Sequence, residues 1–197
     1  TPWLPNPDNV RNFFETGITK TTNIAFAVAT DRANARISGS RMIMDGMVPG
    51  FGLRRTTLGL NGGLQVTDRL STDASVQFIA SDGNNRPGIG YGESNPMIQF
   101  IWFGRQVDVE DLKRNWNTRR GDDDPQAGMP YSWNYSYHPN PYYLQLANRN
   151  EDERNRIIGN VSATYRVAPW LSAMVRIGTD WYADNRRYNY ADGLWGT

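Results

Sequence analysis

The residues best suited to chemistry are a run of aromatic side chains in the second half of the chain. Tyrosine and tryptophan alternate there with serine, asparagine and proline. Flat aromatic faces beside hydroxyl and amide groups are typical of surfaces that bind sugar rings or protein partners. We therefore predict a substrate- or partner-binding site at Trp133, Tyr135, Tyr137, Tyr142 and Tyr143. The alternative is that these rings hold a long irregular loop together.

No arrangement of residues predicts catalysis, so we expect that the chain is not an enzyme and has no cofactor. The sequence has no cysteine and a single histidine, His138. This composition excludes a thiolate nucleophile and argues against a transition-metal site. The acidic segment 121–126 has three successive carboxylates, but calcium loops place their ligands at alternate positions and need more of them. We expect a solvated acidic turn there, with calcium in an extracellular loop as the alternative.

Composition sets wide bounds on the function. The chain has 197 residues, of which 39% are hydrophobic and 21% charged, and its formal net charge is +1. So small a net charge gives no reason to expect a nucleic-acid partner. No apolar run approaches the roughly 20 residues of a membrane-spanning helix.

The aromatic run lies between segments in which apolar and polar side chains alternate strictly. Alternation with period two predicts a strand with two different faces. The first apolar set of the last pair is Ile157, Gly159, Val161, Ala163, Tyr165 and Val167. After a break at 167–170 the second set is Leu171, Ala173, Val175, Ile177 and Trp181. The pattern predicts a hairpin.

Two more hairpins follow from the same pattern, so we predict hairpins over about 19–43, 53–82 and 154–186. Each predicted strand is roughly ten or more residues long, whereas strands of soluble proteins usually have about five or six residues. A tilted membrane strand needs about 9–11 residues. The turns within hairpins are short, but the connection 84–150 is very long. Within it Val109 and Leu112 indicate a short helix with one packed face.

We interpret these features as an all-β fold: a section of a large antiparallel transmembrane β-barrel with about six long strands. Short periplasmic turns at one end and long extracellular loops at the other are typical of outer-membrane barrels. Tyr165, Trp170 and Trp181 lie at strand ends, where aromatic residues mark the membrane interfaces. A soluble β-sandwich that binds a ligand remains an alternative, because its strands alternate too.

Four sequence blocks resemble the SusC/RagA-type TonB-linked outer-membrane receptors. "NFFETGIT" at 12–19 resembles the segment that leads into early barrel strands, and 46–71 ("GMVPGFGLRRTTLGLNGGLQVTDRLS") resembles a strand–turn–strand of the family. "SNPMIQFIWFGRQVDVEDLK" at 94–113 is similar to a loop segment, and 152–180 ("DERNRIIGNVSATYRVAPWLSAMVRIGTD") is similar to a later hairpin. The blocks follow the family's order.

The resemblance implies that residues 1–197 are part of a TonB-dependent receptor β-barrel in the outer membrane of a Gram-negative bacterium. It implies active import of oligosaccharides, peptides or similar nutrients beneath a SusD-like surface lipoprotein. The TonB complex would act through a plug region that we do not find in this sequence, and the barrel wall would contact outer-membrane lipid. The alternative role is a structural barrel segment of a larger envelope or surface assembly.

Overall fold

The structure is a computed structural model that describes residues 4–92, 95–134 and 137–193. Within these ranges six antiparallel strands form one sheet. The strands are β1 Ile18–Ala29, β2 Ala33–Asp45, β3 Gly52–Gln65, β4 Leu70–Asn84, β5 Arg149–Ala168 and β6 Leu171–Asn189. Each strand pairs with the next one in sequence, in the order β1 to β6. The prediction of an all-β chain with six long antiparallel strands is confirmed.

Very short turns join the strands at one end of the sheet, which we call the short-turn end. The β1–β2 turn is closed by Thr30, whose hydroxyl accepts the backbone N–H groups of Arg32 and Ala33. Thr67 does the same in the β3–β4 turn, where its hydroxyl accepts the N–H groups of Arg69 and Leu70. Threonine hydroxyls favour such turns because they satisfy backbone donors locally. The β5–β6 connection is the tightest, with a β-bulge beside it.

The opposite end, the long-loop end, carries the long connections. Three helices lie between β4 and β5: α1 Pro96–Trp102, α2 Val109–Arg114 and α3 Pro141–Leu146. A short 3-10 helix at Arg11–Phe13 precedes β1. The sequence predicted one short helix, and α2 is that helix. Val109 and Leu112 are buried in it, as expected.

The hydrophobic core lies in the loops rather than beneath the sheet. Its main buried side chains are Phe13, Val107, Val109, Leu112 and Tyr142. All of them come from the segment before β1 or from the β4–β5 connection. We call the described residues of 4–17 and 85–148 the loop cluster. The sheet is not closed into a barrel in the described ranges, because β1 pairs only with β2 and β6 only with β5.

Candidate functional site

One face of the sheet carries a continuous apolar band that crosses all six strands. The pairing registers place cross-strand neighbours in rows, and five successive rows on this face are almost wholly apolar. The band comprises Ile24, Phe26 and Val28 of β1; Ala33, Ala35, Ile37 and Gly39 of β2; Leu58, Leu60, Gly62 and Leu64 of β3; Leu70, Thr72, Ala74, Val76 and Phe78 of β4; Ile157, Gly159, Val161, Ala163 and Tyr165 of β5; and Ala173, Val175, Ile177, Thr179 and Trp181 of β6.

The band is nearly as tall as the apolar belt of an outer-membrane barrel. From Ile157 to Tyr165 the five rows cover about 27 Å along β5 at roughly 3.4 Å per residue. At the strand tilt of roughly 40° that outer-membrane barrels have, this length would correspond to a height of about 21 Å, close to the ~25 Å apolar belt of those barrels. Aromatic side chains lie at both edges, with Tyr165 and Trp170 near the short-turn end and Phe78 and Trp181 towards the long-loop end.

The apolar band is exposed in the part of the chain that the structure describes. Val161 is 58% exposed and Val175 is 66% exposed, although both lie in the middle rows of the sheet. The described residues form one sheet, and no second sheet packs against it. The two-sheet sandwich considered from the sequence is therefore not what these residues form. Burying such an apolar area would be strongly favourable, since transfer from water yields about 25 cal/mol per Å².

The centre of the band is lined by small residues, which leave a shallow depression. A cavity of about 590 Å³ lies over Gly62, Ala74 and Gly159, between the larger Leu60 and Ile177. A Cβ added at Gly159 would lie 2.8 Å from Cγ2 of Val76. Glycine at this position therefore allows the two strands to approach with their side chains in register.

The other face of the sheet is polar and bears ion pairs across β5 and β6. Asp184 accepts hydrogen bonds from two arginines. Nε of Arg154 is 2.9 Å from Oδ2 of Asp184, and Nε of Arg186 is 3.0 Å from its Oδ1. Arg156 forms a two-pronged pair with Asp180. Towards the short-turn end, Arg156 lies two residues from Arg154 on β5, and Asp180 lies four residues from Asp184 on β6. The face thus presents fixed charge and hydrogen-bonding groups, which suit a water-filled interior.

The predicted aromatic site is divided by the structure into buried and exposed members. Tyr142 is fully buried against Phe13, with ring centroids 4.9 Å apart, and burial raises the pKa of its hydroxyl. Tyr143 is also buried, and its hydroxyl donates to the carbonyl of Asp192 at 2.6 Å. Both rings brace the loop cluster, and neither offers a free face to a ligand in this conformation.

Trp133 takes part in a stack of three rings. His138 lies between Trp133 and Trp102, at centroid distances of 5.3 and 5.6 Å and with nearly parallel planes. The edge of Phe103 covers a further part of Trp133, at 4.7 Å. Nδ1 of His138 is 3.1 Å from Oε1 of the buried Gln99. Trp133 is therefore held between His138 and Phe103, and Trp102 is the ring at the other end of the stack.

The exposed side chains of this region are Ile101, Trp102 and Tyr137, which we call the rim. Trp102 is 52% exposed and Tyr137 is 71% exposed. Tyr137 is among the predicted binding residues, and Trp102 is not. Tyr135 lies outside the described residues. Binding by the rim stays a prediction.

The acidic turn is held by an internal ion pair. The backbone N–H of Gln126 donates to Asp124 at 2.8 Å, and Nη1 of Arg120 donates to its other oxygen at 2.8 Å. These two contacts hold the pKa of the Asp124 carboxyl below its usual value. Arg120 is itself buried and lies over the ring of Tyr131. Among the described residues no group of three or more acidic or histidine side chains is arranged to hold a metal ion.

Comparison with known proteins adds no family assignment. No protein-family model matches the chain, and no curated protein matches it significantly. In the described part of the chain, no helix combines the length and hydropathy of a membrane span.

Proposed function

We propose that this chain is a section of the wall of an outer-membrane transporter that imports nutrients such as oligosaccharides or peptides. The apolar band contacts lipid acyl chains, and the polar face lines a water-filled interior. Further strands that pair with the free edges of β1 and β6 complete the barrel. The transporter belongs with the TonB-linked receptors that the sequence blocks resemble, and it works with a SusD-like surface lipoprotein.

The observation that carries this proposal is the uncovered apolar band backed by a polar, ion-paired face. In water, five rows of exposed aliphatic and aromatic side chains would drive association. In a bilayer the same rows are solvated by acyl chains, and every backbone group of a closed sheet is paired. The agreement between the band's height and an outer-membrane belt supports the same interpretation.

The asymmetry of the connections supports an orientation. Long loops of outer-membrane barrels lie outside the cell, and short turns lie in the periplasm. The loop cluster is thus extracellular, and its exposed rim faces incoming cargo or the partner lipoprotein. Trp102 and Tyr137 supply flat aromatic surface, which stacks on sugar rings and is enriched in protein interfaces.

Uptake measurements test the proposal. Cells with and without the protein are incubated with a panel of fluorescent oligosaccharides and oligopeptides, in the presence or absence of a protonophore. We expect at least one probe to enter only when the protein is present, and its entry to stop when the protonophore removes the proton gradient. Uptake that resists the protonophore would indicate a passive pore, and equal uptake by both strains would contradict transport.

The rim is tested in the same assay. Replacing both Trp102 and Tyr137 by alanine should lower uptake of the active probe by about fivefold or more, because one or two aromatic contacts are worth about 1–3 kcal/mol in binding. Tyr190→Ala is the matched control, since this tyrosine is exposed to a similar degree but lies beyond β6. If the control reduces uptake as much as the rim variant, the rim has no special role.

A further inference from the structure

A group of three cations lies immediately beyond the apolar band, on the same face and towards the long-loop end. Arg41 pairs with Thr22 and Thr56 in the first polar row after Ile24, Gly39 and Leu58. Lys20 and Arg54 flank Ile43 in the next row. All three side chains are exposed. We call Lys20, Arg41 and Arg54 the cationic corner.

The spacing of the cationic corner lets its three side chains reach one small anion. Strands lie about 4.8 Å apart and successive rows about 6.8 Å, which places Arg41 about 8 Å from each of the other two at Cα level. Lys20 and Arg54 are separated by two strand spacings, or about 10 Å. Long lysine and arginine side chains span such distances and turn their heads towards the interface.

Charges of both signs lie around the cationic corner. Within ranges 4–92, 95–134 and 137–193, none of the three cations forms an ion pair with a carboxylate. Nη1 of Arg41 donates to the hydroxyl of Thr56, which directs the guanidinium along its row. Two acidic residues lie near the cationic corner on the same face: Asp82, beside Arg54 on β4, and Asp45 of β2, one row beyond Ile43. Neither lies in the row of Arg41.

We propose that the cationic corner binds the phosphate group of an outer-leaflet lipid. This inference rests on the proposed function, since it requires the band to lie in a bilayer. When the acyl chains of a lipid pack on the apolar band, the headgroup of that lipid lies at the edge of the band, beside the first polar rows. There the phosphate oxygens accept charge-assisted hydrogen bonds from two guanidinium groups and one ammonium group. The occupant is a lipid-borne phosphate rather than a soluble one, because only a lipid gains from the adjacent apolar surface.

The test uses the protein in phosphatidylcholine nanodiscs that contain a small fraction of phosphatidic acid, with native mass spectrometry to count the phosphatidic acid retained. The variant replaces Lys20, Arg41 and Arg54 by glutamine. The matched control replaces Arg36, Arg55 and Arg176, which lie on the polar face and carry the same total charge. Since each interfacial cation changes anionic-lipid affinity about fivefold, we expect the corner variant to lose at least roughly tenfold in retention. The control should retain the lipid as the unaltered protein does.

Three further measurements decide between explanations. A charge-preserving variant, with Lys20 changed to Arg and both Arg41 and Arg54 changed to Lys, should keep most of the lipid binding. The single variant Arg54→Gln should retain about fivefold less phosphatidic acid. This single variant keeps the test valid if the triple variant folds poorly. Excess inorganic phosphate should displace little of the lipid. Equal losses in the corner and control variants, no loss in the corner variant, or full displacement by inorganic phosphate would each overturn the inference.

The same nanodiscs separate this inference from the proposed function. A spin label at Val161 reports whether the band is in lipid. If the label is in lipid and the corner variant still retains phosphatidic acid, only the phosphate site is wrong. If the label is in water, the proposed function itself fails.

Discussion

Tyr137 and Tyr142 are five residues apart but have opposite surroundings. Tyr142 is completely buried against Phe13 and donates to the carbonyl of Asn12, which links the β4–β5 connection to the segment before β1. Tyr137 stands exposed at the rim. The first should therefore matter for stability and the second for binding.

Alanine substitutions test this division. Tyr142→Ala removes a fully buried ring and should destabilise the loop cluster by about 3–5 kcal/mol. Tyr137→Ala should change its stability by no more than about 0.5 kcal/mol. Hydrogen exchange of the amides in α1, α2 and α3 measures both effects in the detergent-solubilised protein. Equal protection in the two variants would contradict the assignment of Tyr142 to the core.

Asp124 makes the acidic turn sensitive to pH. Hydrogen bonds from the Gln126 N–H and from Arg120 hold the pKa of the Asp124 carboxyl below its ordinary value in the folded turn. A lowered folded pKa means that the carboxylate stabilises the turn fully above the unfolded pKa and loses this effect as pH falls through the folded one. We expect the amide protection of the segment 118–131 to be constant at pH 5–7 and to fall in acid below about pH 4.

Neighbouring carboxylates provide the control for this effect. Asp124→Asn should abolish the acid-dependent step and weaken protection at neutral pH. Asp123→Asn should leave both unchanged, because Asp123 is exposed. Hydrogen exchange across a pH series makes the comparison. A step that survives in Asp124→Asn would assign it to another group.

The strands were predictable from sequence because their faces differ in every row, and period two is visible without knowledge of the tertiary structure. α1 and α3 were not predicted, since each has only six or seven residues and depends on burial in the loop cluster. A local signal existed: each begins with asparagine as N-cap followed by proline, at Asn95–Pro96 and Asn140–Pro141. This pair is favourable at helix starts.

The division of the aromatic site could not be predicted in the same way. Which tyrosines are buried depends on how α3 packs against Phe13, more than a hundred residues earlier in the chain. The stacking of Trp102 on His138 likewise joins two distant segments. Arg41 interrupted the apolar pattern of β2 in the sequence, and the register explains it: Arg41 lies one row beyond the band.

The two faces of β5 should respond differently to charge. Val161 lies in the middle row of the band, and Asn160 is the next residue, on the polar face. In a bilayer Val161→Arg should cost about 2–4 kcal/mol, the value for arginine at mid-depth on the lipid face of a barrel. Asn160→Arg should cost little, because it faces water. Urea unfolding of the protein in lipid vesicles measures both. Equal and small costs would indicate that both faces are in water.

The open edges of the sheet require partners in a membrane. β1 and β6 each have one side without a paired strand in the described ranges. Unpaired backbone groups are not tolerated in hydrocarbon, so further strands must cover both edges of the membrane-inserted protein. We expect the outward-pointing amides of β1 and β6 to exchange as slowly in vesicles as those of β3. Fast exchange restricted to the edges would contradict a closed barrel.

The environment of the apolar band is measured most directly by spin labelling. The sequence contains no cysteine, so single cysteines can be introduced and labelled without removing any. Labels are placed in turn at Asn160, Val161, Ser162 and Ala163 of the vesicle-inserted protein, and their collisions with oxygen and with a water-soluble nickel complex are recorded. We predict that Val161 and Ala163 are accessible to oxygen and shielded from nickel, and that Asn160 and Ser162 show the reverse. Nickel accessibility at Val161 equal to that at Asn160 would contradict contact between the band and lipid.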